Sequence, residues 1–137
     1  MASRLNPYIT FPGHARQALE FYQQVFGGTV DLNTYASIGG QKDTPLADKI
    51  MHGMLETPSG FTLMCADNPT DDHRPGNNIS VSLSGDDEPE LRGYWEKLSD
   101  GATVSVPLEK QMWGDLFGMC TDRFGTTWMV NIAGQDG

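Results

Sequence analysis

Asn6-Pro7-Tyr8-Ile9-Thr10-Phe11, a helix-patterned stretch ending in Phe21-Tyr22, and Gly27-Gly28-Thr29-Val30 return later in the chain. They come back as Asn78-Ile79-Ser80-Val81-Ser82-Leu83, Tyr94-Trp95 and Gly101-Ala102-Thr103-Val104. The offset drifts only from roughly 72 to 74 residues, so the order and lengths of elements repeat although few residues are identical. A duplicated strand-helix-strand unit accounts for both copies.

Outward from the first copy, residues 5 to 11 read as a strand closed by Pro12-Gly13. Ala15, Ala18, Leu19, Tyr22, Val25 and Phe26 recur at three- and four-residue spacing, the stripe of a helix lying on a sheet. Gly27-Gly28 ends that helix. Thr29 to Tyr35 fits a second strand. Ala36 to Asp48, rich in Gly, Ser, Thr, Pro and Asp, reads as a flexible loop. Lys49 to Glu56 and Phe61 to Ala66 flank Thr57-Pro58-Ser59-Gly60 as a hairpin.

Asp67 to Asn77 reads as a solvated connection between halves rather than a catalytic acidic cluster. In the second half, Asn78 to Ser84 alternates Ile79, Val81 and Leu83 with small polar residues, the mark of a strand with one apolar face. Asp87, Pro89 and Glu90 supply helix-start chemistry, and Leu91, Tyr94, Trp95 and Leu98 form a second stripe ended by Asp100-Gly101. Strands are predicted at 102 to 107, 116 to 121 and 126 to 132, with a turn at Asp122-Arg123-Phe124-Gly125.

The chain has 137 residues, enough to bury a core without disulfides or metal, and is expected to form a single domain over 1–137. Module one spans about 5–67 and module two about 78–133. Apolar runs such as Phe61 to Ala66 are too short to span a membrane, and no signal-peptide pattern follows Met1, so a cytoplasmic protein is expected. A formal net charge of −9, with only nine scattered basic residues, argues against a nucleic-acid partner. Cys65 and Cys120 are expected as buried free thiols.

Taken together, Pro7-Tyr8-Ile9, Ala18-Leu19-Glu20-Phe21-Tyr22, Phe26-Gly27-Gly28, Asp48-Lys49-Ile50-Met51-His52, Leu63-Met64 with Asp67, and Trp113-Gly114-Asp115 form an ordered series. It continues through Phe117-Gly118, Asp122, Phe124-Gly125, Trp128 and Asn131. In this order and spacing they resemble the vicinal oxygen chelate superfamily of glyoxalase, bleomycin-resistance and dioxygenase proteins. More narrowly they resemble its PhnB-like group, whose members often carry a 3-demethylubiquinone methyltransferase label. The resemblance covers nearly the whole chain. It implies an α+β fold of two tandem βαβββ modules forming a curled mixed sheet around a cup, and a homodimer.

Metal-dependent relatives place His, Glu or Gln in the first and last strands of each module. Here residues 5 to 11 and 78 to 84 offer no His, Glu or Asp, and the final strand, Thr127 to Asn131, has Met129 where a Glu would stand. No metal and no cofactor are therefore expected. His14 reads as a helix cap or surface residue, and His73 as solvent-exposed. His52, inside a strand between Met51 and Met54, is the candidate catalytic acid or base, with Tyr8 or Asn131 polarising a substrate oxygen.

The predicted lining for a small organic ligand is Tyr8, Thr10, His52, Met64, Trp113, Phe117, Met129 and Asn131. Asp115 reads as capping the turn beside Trp113. No Gly-rich strand-turn-helix site for a dinucleotide or S-adenosylmethionine is visible, because Gly39-Gly40 lies in a loop and Gly27-Gly28 follows a helix. No nucleophile elbow or P-loop is present. A thiol-His52 nucleophile pair is disfavoured by the apolar surroundings of both cysteines.

A metal-free binding protein for a small-molecule ligand is the primary expectation. The alternative is a metal-dependent or His52-based lyase, isomerase or dioxygenase of the same superfamily. A third possibility is a dimeric interaction scaffold.

Overall fold

Alternation along β1 (Tyr8–Phe11) puts Tyr8 and Thr10 on one side and Ile9 and Phe11 on the other, and Phe11 is fully buried. The computed structural model describes residues 3–37, 44–70 and 72–134. β1 leads into α1 (Ala15–Phe26), β2 (Thr29–Thr34), β3 (Ile50–Glu56) and β4 (Thr62–Asp67). The same order recurs in β5 (Val81–Gly85), α2 (Glu88–Ser99), β6 (Thr103–Lys110), β7 (Leu116–Thr121) and β8 (Thr127–Ile132). The chain divides into two compact units, Met1–Arg74 and Pro75–Gly137, one for each βαβββ module.

Each unit forms its own mixed four-stranded sheet, β1-β4-β3-β2 in the first and β5-β8-β7-β6 in the second. The first strand of each module pairs in parallel with the last, β1 with β4 and β5 with β8. The remaining pairs are antiparallel. The α+β class and the tandem modules therefore match the expectation from sequence.

In module one, Ala15, Ala18, Leu19, Tyr22, Val25 and Phe26 form the buried stripe of α1. His14 occupies the N-cap position without making a side-chain cap hydrogen bond. That task passes to Asp67, a buried carboxylate whose Oδ1 accepts from the Ala15 amide at 2.8 Å and whose Oδ2 accepts from the Ile50 amide at 2.9 Å. One side chain thus ties the helix start to the start of β3, satisfying donors that would otherwise be buried alone.

In module two the helix start is local. Asp87 accepts from the Glu90 amide at 3.1 Å, and Pro89 lies in the first turn. Leu91, Tyr94 and Leu98 are the buried stripe.

The repeat also governs the hairpins. Thr57 and Asp122 stand at matching turn corners: each main-chain N–H donates to the residue four further on, and each carbonyl accepts from Gly60 or Gly125. The Thr57 hydroxyl accepts from the Phe61 amide, whereas the Asp122 carboxylate accepts from Phe124, Thr126 and the Trp128 indole.

Several boundaries differ from the sequence reading. β1 begins at Tyr8 rather than residue 5, and β6 runs on to Lys110. β5 begins at Val81 rather than residue 78, and Ile79, expected on an apolar sheet face, is 80% exposed ahead of the strand. Of the loop expected at 36–48, the part containing Gly39-Gly40 lies outside the described residues, as does Asp71 of the connection. No helix among the described residues is long and apolar enough to cross a membrane.

Candidate functional site

The geometry of β3 and β4 decides which side of module one is open. A Cβ on Gly53 would point at Leu19 of α1 and the Cys65 sulfur, and the Cys65 thiol itself lies against the Ala15 carbonyl. These positions face the helix. Their neighbours His52, Met54 and Met64 therefore face the other way. Register places Tyr8 beside Met64, Met64 beside Met54, and His52 beside Asn33.

On this open face the Tyr8 and His52 rings lie 5.9 Å apart at 46°. Asn6 donates its side-chain amide to the Met64 sulfur at 3.3 Å. Tyr8 is 52% exposed. Partial burial, then the neighbouring Cys65 and Tyr35, push its phenol above the ordinary value of 10.0, so it is a protonated donor at neutral pH. Thr10 follows one row on, beside Ala66. Module one thus gathers four of the predicted lining residues, Tyr8, Thr10, His52 and Met64, on one side of one sheet.

Module two repeats the arrangement with different chemistry. A Cβ on Gly118 would meet the Trp95 ring of α2, so Phe117 and Met119 face away from the helix. Register sets Ser84, Asn131 and Phe117 in one row and Ser82, Met129 and Met119 in the next. Trp113, 59% exposed, meets Phe117 edge to face with ring centroids 6.2 Å apart. Its position comes from the turn between β6 and β7, where Gly114 has φ +100 and donates to the Gln111 carbonyl.

Asp115 completes this turn. One carboxylate oxygen accepts from the Gly134 amide at 2.8 Å and the other from Asn131 Nδ2 at 3.0 Å. The bond from Asn131, then that from Gly134, hold its carboxyl below the ordinary 3.8. Asp115 was expected only to cap a turn, and its link to Asn131 spans two strands that no local pattern connects. Met54 and Met119, at equivalent places in the two modules, were also missed as open-face residues. The signal was present, since each stands two residues beyond a lining candidate, His52 or Phe117.

The other titratable candidates have structural surroundings. His14, at the N-cap position of α1, is half-buried with its ring centroid 5.3 Å from that of Phe11, and His73 is half-buried. Cys65 and Cys120 are buried free thiols. Burial, aided by Asp67 in one case and Asp122 in the other, pushes them up to about 12 and about 11. Neither is a thiolate nucleophile at neutral pH.

The open-face positions of the first and last strands, where a superfamily metal would find its ligands, are Tyr8, Thr10, Met64, Ala66, Ser82, Ser84, Met129 and Asn131. Hydroxyls, thioethers and one amide do not fit a divalent cation that needs imidazole or carboxylate donors. Among the described residues, no three His, Cys, Asp or Glu side chains gather as such a site requires.

Two βαβββ modules with this strand order, each baring an aromatic and thioether face, are the architecture of one large class. Residues 4–130 match the model of the Glyoxalase/Bleomycin resistance protein/Dioxygenase superfamily, and the chain belongs to that superfamily. It is 34% identical to protein PA1353 from Pseudomonas aeruginosa, whose crystal structure it matches with a TM-score of 0.84 over 98% of this chain and 100% of that one. A PhnB protein from Bacillus cereus, labelled a 3-demethylubiquinone-9 3-methyltransferase, shares the fold at 19% identity and a TM-score of 0.78, over 96% of this chain and 100% of that one. Protein YjdN of Escherichia coli strain K12 is 21% identical over 145 residues, 96% of each chain.

Proposed function

We propose that this chain binds a small organic ligand without a metal ion, on the open faces lined by Tyr8, Thr10, His52 and Met64 in module one and Trp113, Phe117, Met129 and Asn131 in module two. The observation that carries this proposal is the exposure of aromatic rings on the sheet faces turned away from α1 and α2. Tyr8 beside His52 and Trp113 beside Phe117 supply flat apolar walls, and hydroxyl, imidazole and amide groups stand next to them. Thioethers at Met64 and Met129 adapt to irregular ligand shapes.

In this proposal residues 1–137 act as one cytoplasmic domain that works as a homodimer. β1, β2, β5 and β6 are edge strands, and Leu5 and Ile79 stand exposed just ahead of β1 and β5. Such edges favour pairing with another strand. The excess of acidic residues leaves nucleic acid outside the expected partners.

Native mass spectrometry with elemental analysis, on protein purified without a metal-affinity tag, tests the proposal. A metal-free dimer that carries or accepts an organic molecule is expected. A metal near one per subunit, removable by chelator with loss of an activity, overturns it.

The contact between Tyr8 and His52 favours a second reading, in which His52 moves a proton next to a substrate carbonyl and the protonated Tyr8 donates to its oxygen. His52→Ala then abolishes turnover while leaving ligand binding within a few-fold. Unchanged turnover removes this reading.

A further inference from the structure

The bond from Asn131 to Asp115 does more than brace a turn. A carboxylate ionised at neutral pH accepts hydrogen bonds and donates none. The Asn131 amide must therefore turn its NH2 group toward Asp115, which fixes where its oxygen points. Among the described residues nothing donates to that oxygen. Asn131 shares its face with Ser84 on one side and Phe117 on the other, and Phe117 carries the half-exposed Trp113 ring. The free hydrogen-bonding group beside the aromatic wall is thus an acceptor.

We infer that the open face of module two selects flat ring ligands that bear an N–H or O–H donor, with Asn131 Oδ1 as the acceptor and Asp115 as the positioning residue that keeps it one. The inference rests on the binding proposal above and adds a chemical class to it. A ligand presenting only an acceptor at the same place meets a fixed carbonyl and gains nothing. Without Asp115 the amide is free to turn, and the distinction disappears.

Indole and benzofuran are matched bicyclic probes that differ at one atom, a donor N–H against an acceptor oxygen. Ligand-observed NMR titration of the full chain is expected to show indole bound roughly three- to tenfold more tightly than benzofuran, the effect of one partly exposed hydrogen bond. Trp113→Ala should weaken both, assigning the binding to this face. Asn131→Leu should keep both rings and equalise them, and Asp115→Asn should shrink the preference even if Asn131→Leu fails to fold.

Equal affinities in the unaltered protein, or a preference that survives both Asn131→Leu and Asp115→Asn, overturn the inference and leave the binding proposal standing. Failure of both rings to bind overturns the inference and the binding proposal together.

Discussion

Gly53 and Gly118 occupy the same place in the two modules, each directly beneath a helix side chain, Leu19 in the first and Trp95 in the second. A Cβ on Gly118 would lie 2.9 Å from the Trp95 ring and 3.0 Å from the Leu108 backbone Cα. A Cβ on Gly53 would lie 3.0 Å from Leu19 and Leu32 methyl groups, which are flexible side-chain ends. Gly118→Ala is therefore expected to cost about 1–3 kcal/mol and Gly53→Ala less, because rings and backbone yield less than methyls. Denaturant midpoints of the two variants check the order, and equal midpoints would contradict it.

Asp67 holds the amides of Ala15 and Ile50 at once. Asp67→Ala leaves both without an acceptor in a buried setting, an expected loss of about 2–5 kcal/mol. Asp67→Asn keeps one acceptor oxygen and should lose about half as much. Urea unfolding of both variants decides, and a loss under 1 kcal/mol for Asp67→Ala would show that the carboxylate is dispensable.

Two of the three tryptophans, Trp128 and Trp113, lie at opposite extremes of burial. Trp128 is 1% exposed and donates its indole N–H to Asp122 at 2.8 Å, while Trp113 stands largely in solvent. Trp128→Ala should cost roughly 3–5 kcal/mol and Trp113→Ala under about 1 kcal/mol. Thermal unfolding distinguishes them, and the proposed ligand binding should show the reverse order of sensitivity.

Burial raises the Cys65 thiol from 9.0 to about 12, so the folded chain keeps that proton where the unfolded chain loses it. The contribution is intact below pH 9 and declines as pH rises toward 12. The stability difference between the unaltered chain and Cys65→Ala should thus narrow across this window in equilibrium unfolding. At pH 8 a thiol reagent should label neither cysteine until the chain unfolds. Rapid labelling of the native protein would show that a thiol is reachable.

The front half of each module was legible because its elements announce themselves locally, through the stripe of α1, the Asp87-Pro89-Glu90 helix start and the alternation around Leu83. The hairpins also repeat, yet Gly53 with Gly118 and Met64 with Met129 correspond at a shorter offset than the front half shows. The reason is the segment between β2 and β3, longer than the turn between β6 and β7, which resets the count. Ile79 was misplaced because the alternation begins two residues before Val81, the first residue that finds a partner strand. The roles of Asp67 and Asp115 were illegible for a different reason: their partners are distant in sequence, and a carboxylate in a string of letters does not reveal which amide it will meet.

The parallel pairing of β1 with β4, and of β5 with β8, sets how such a molecule comes into being. Tyr8 has no strand to join until synthesis has reached Met64, so a nascent first module remains incomplete almost to its final residues. Because those two strands run the same way side by side, the chain enters the sheet at one end and leaves at the other. A unit threaded in that manner is copied head to tail with only a short connector between copies. The second module needs no new strand order, and the two copies differ in what their open faces carry, Tyr8 and His52 in one, Trp113 and Asn131 in the other.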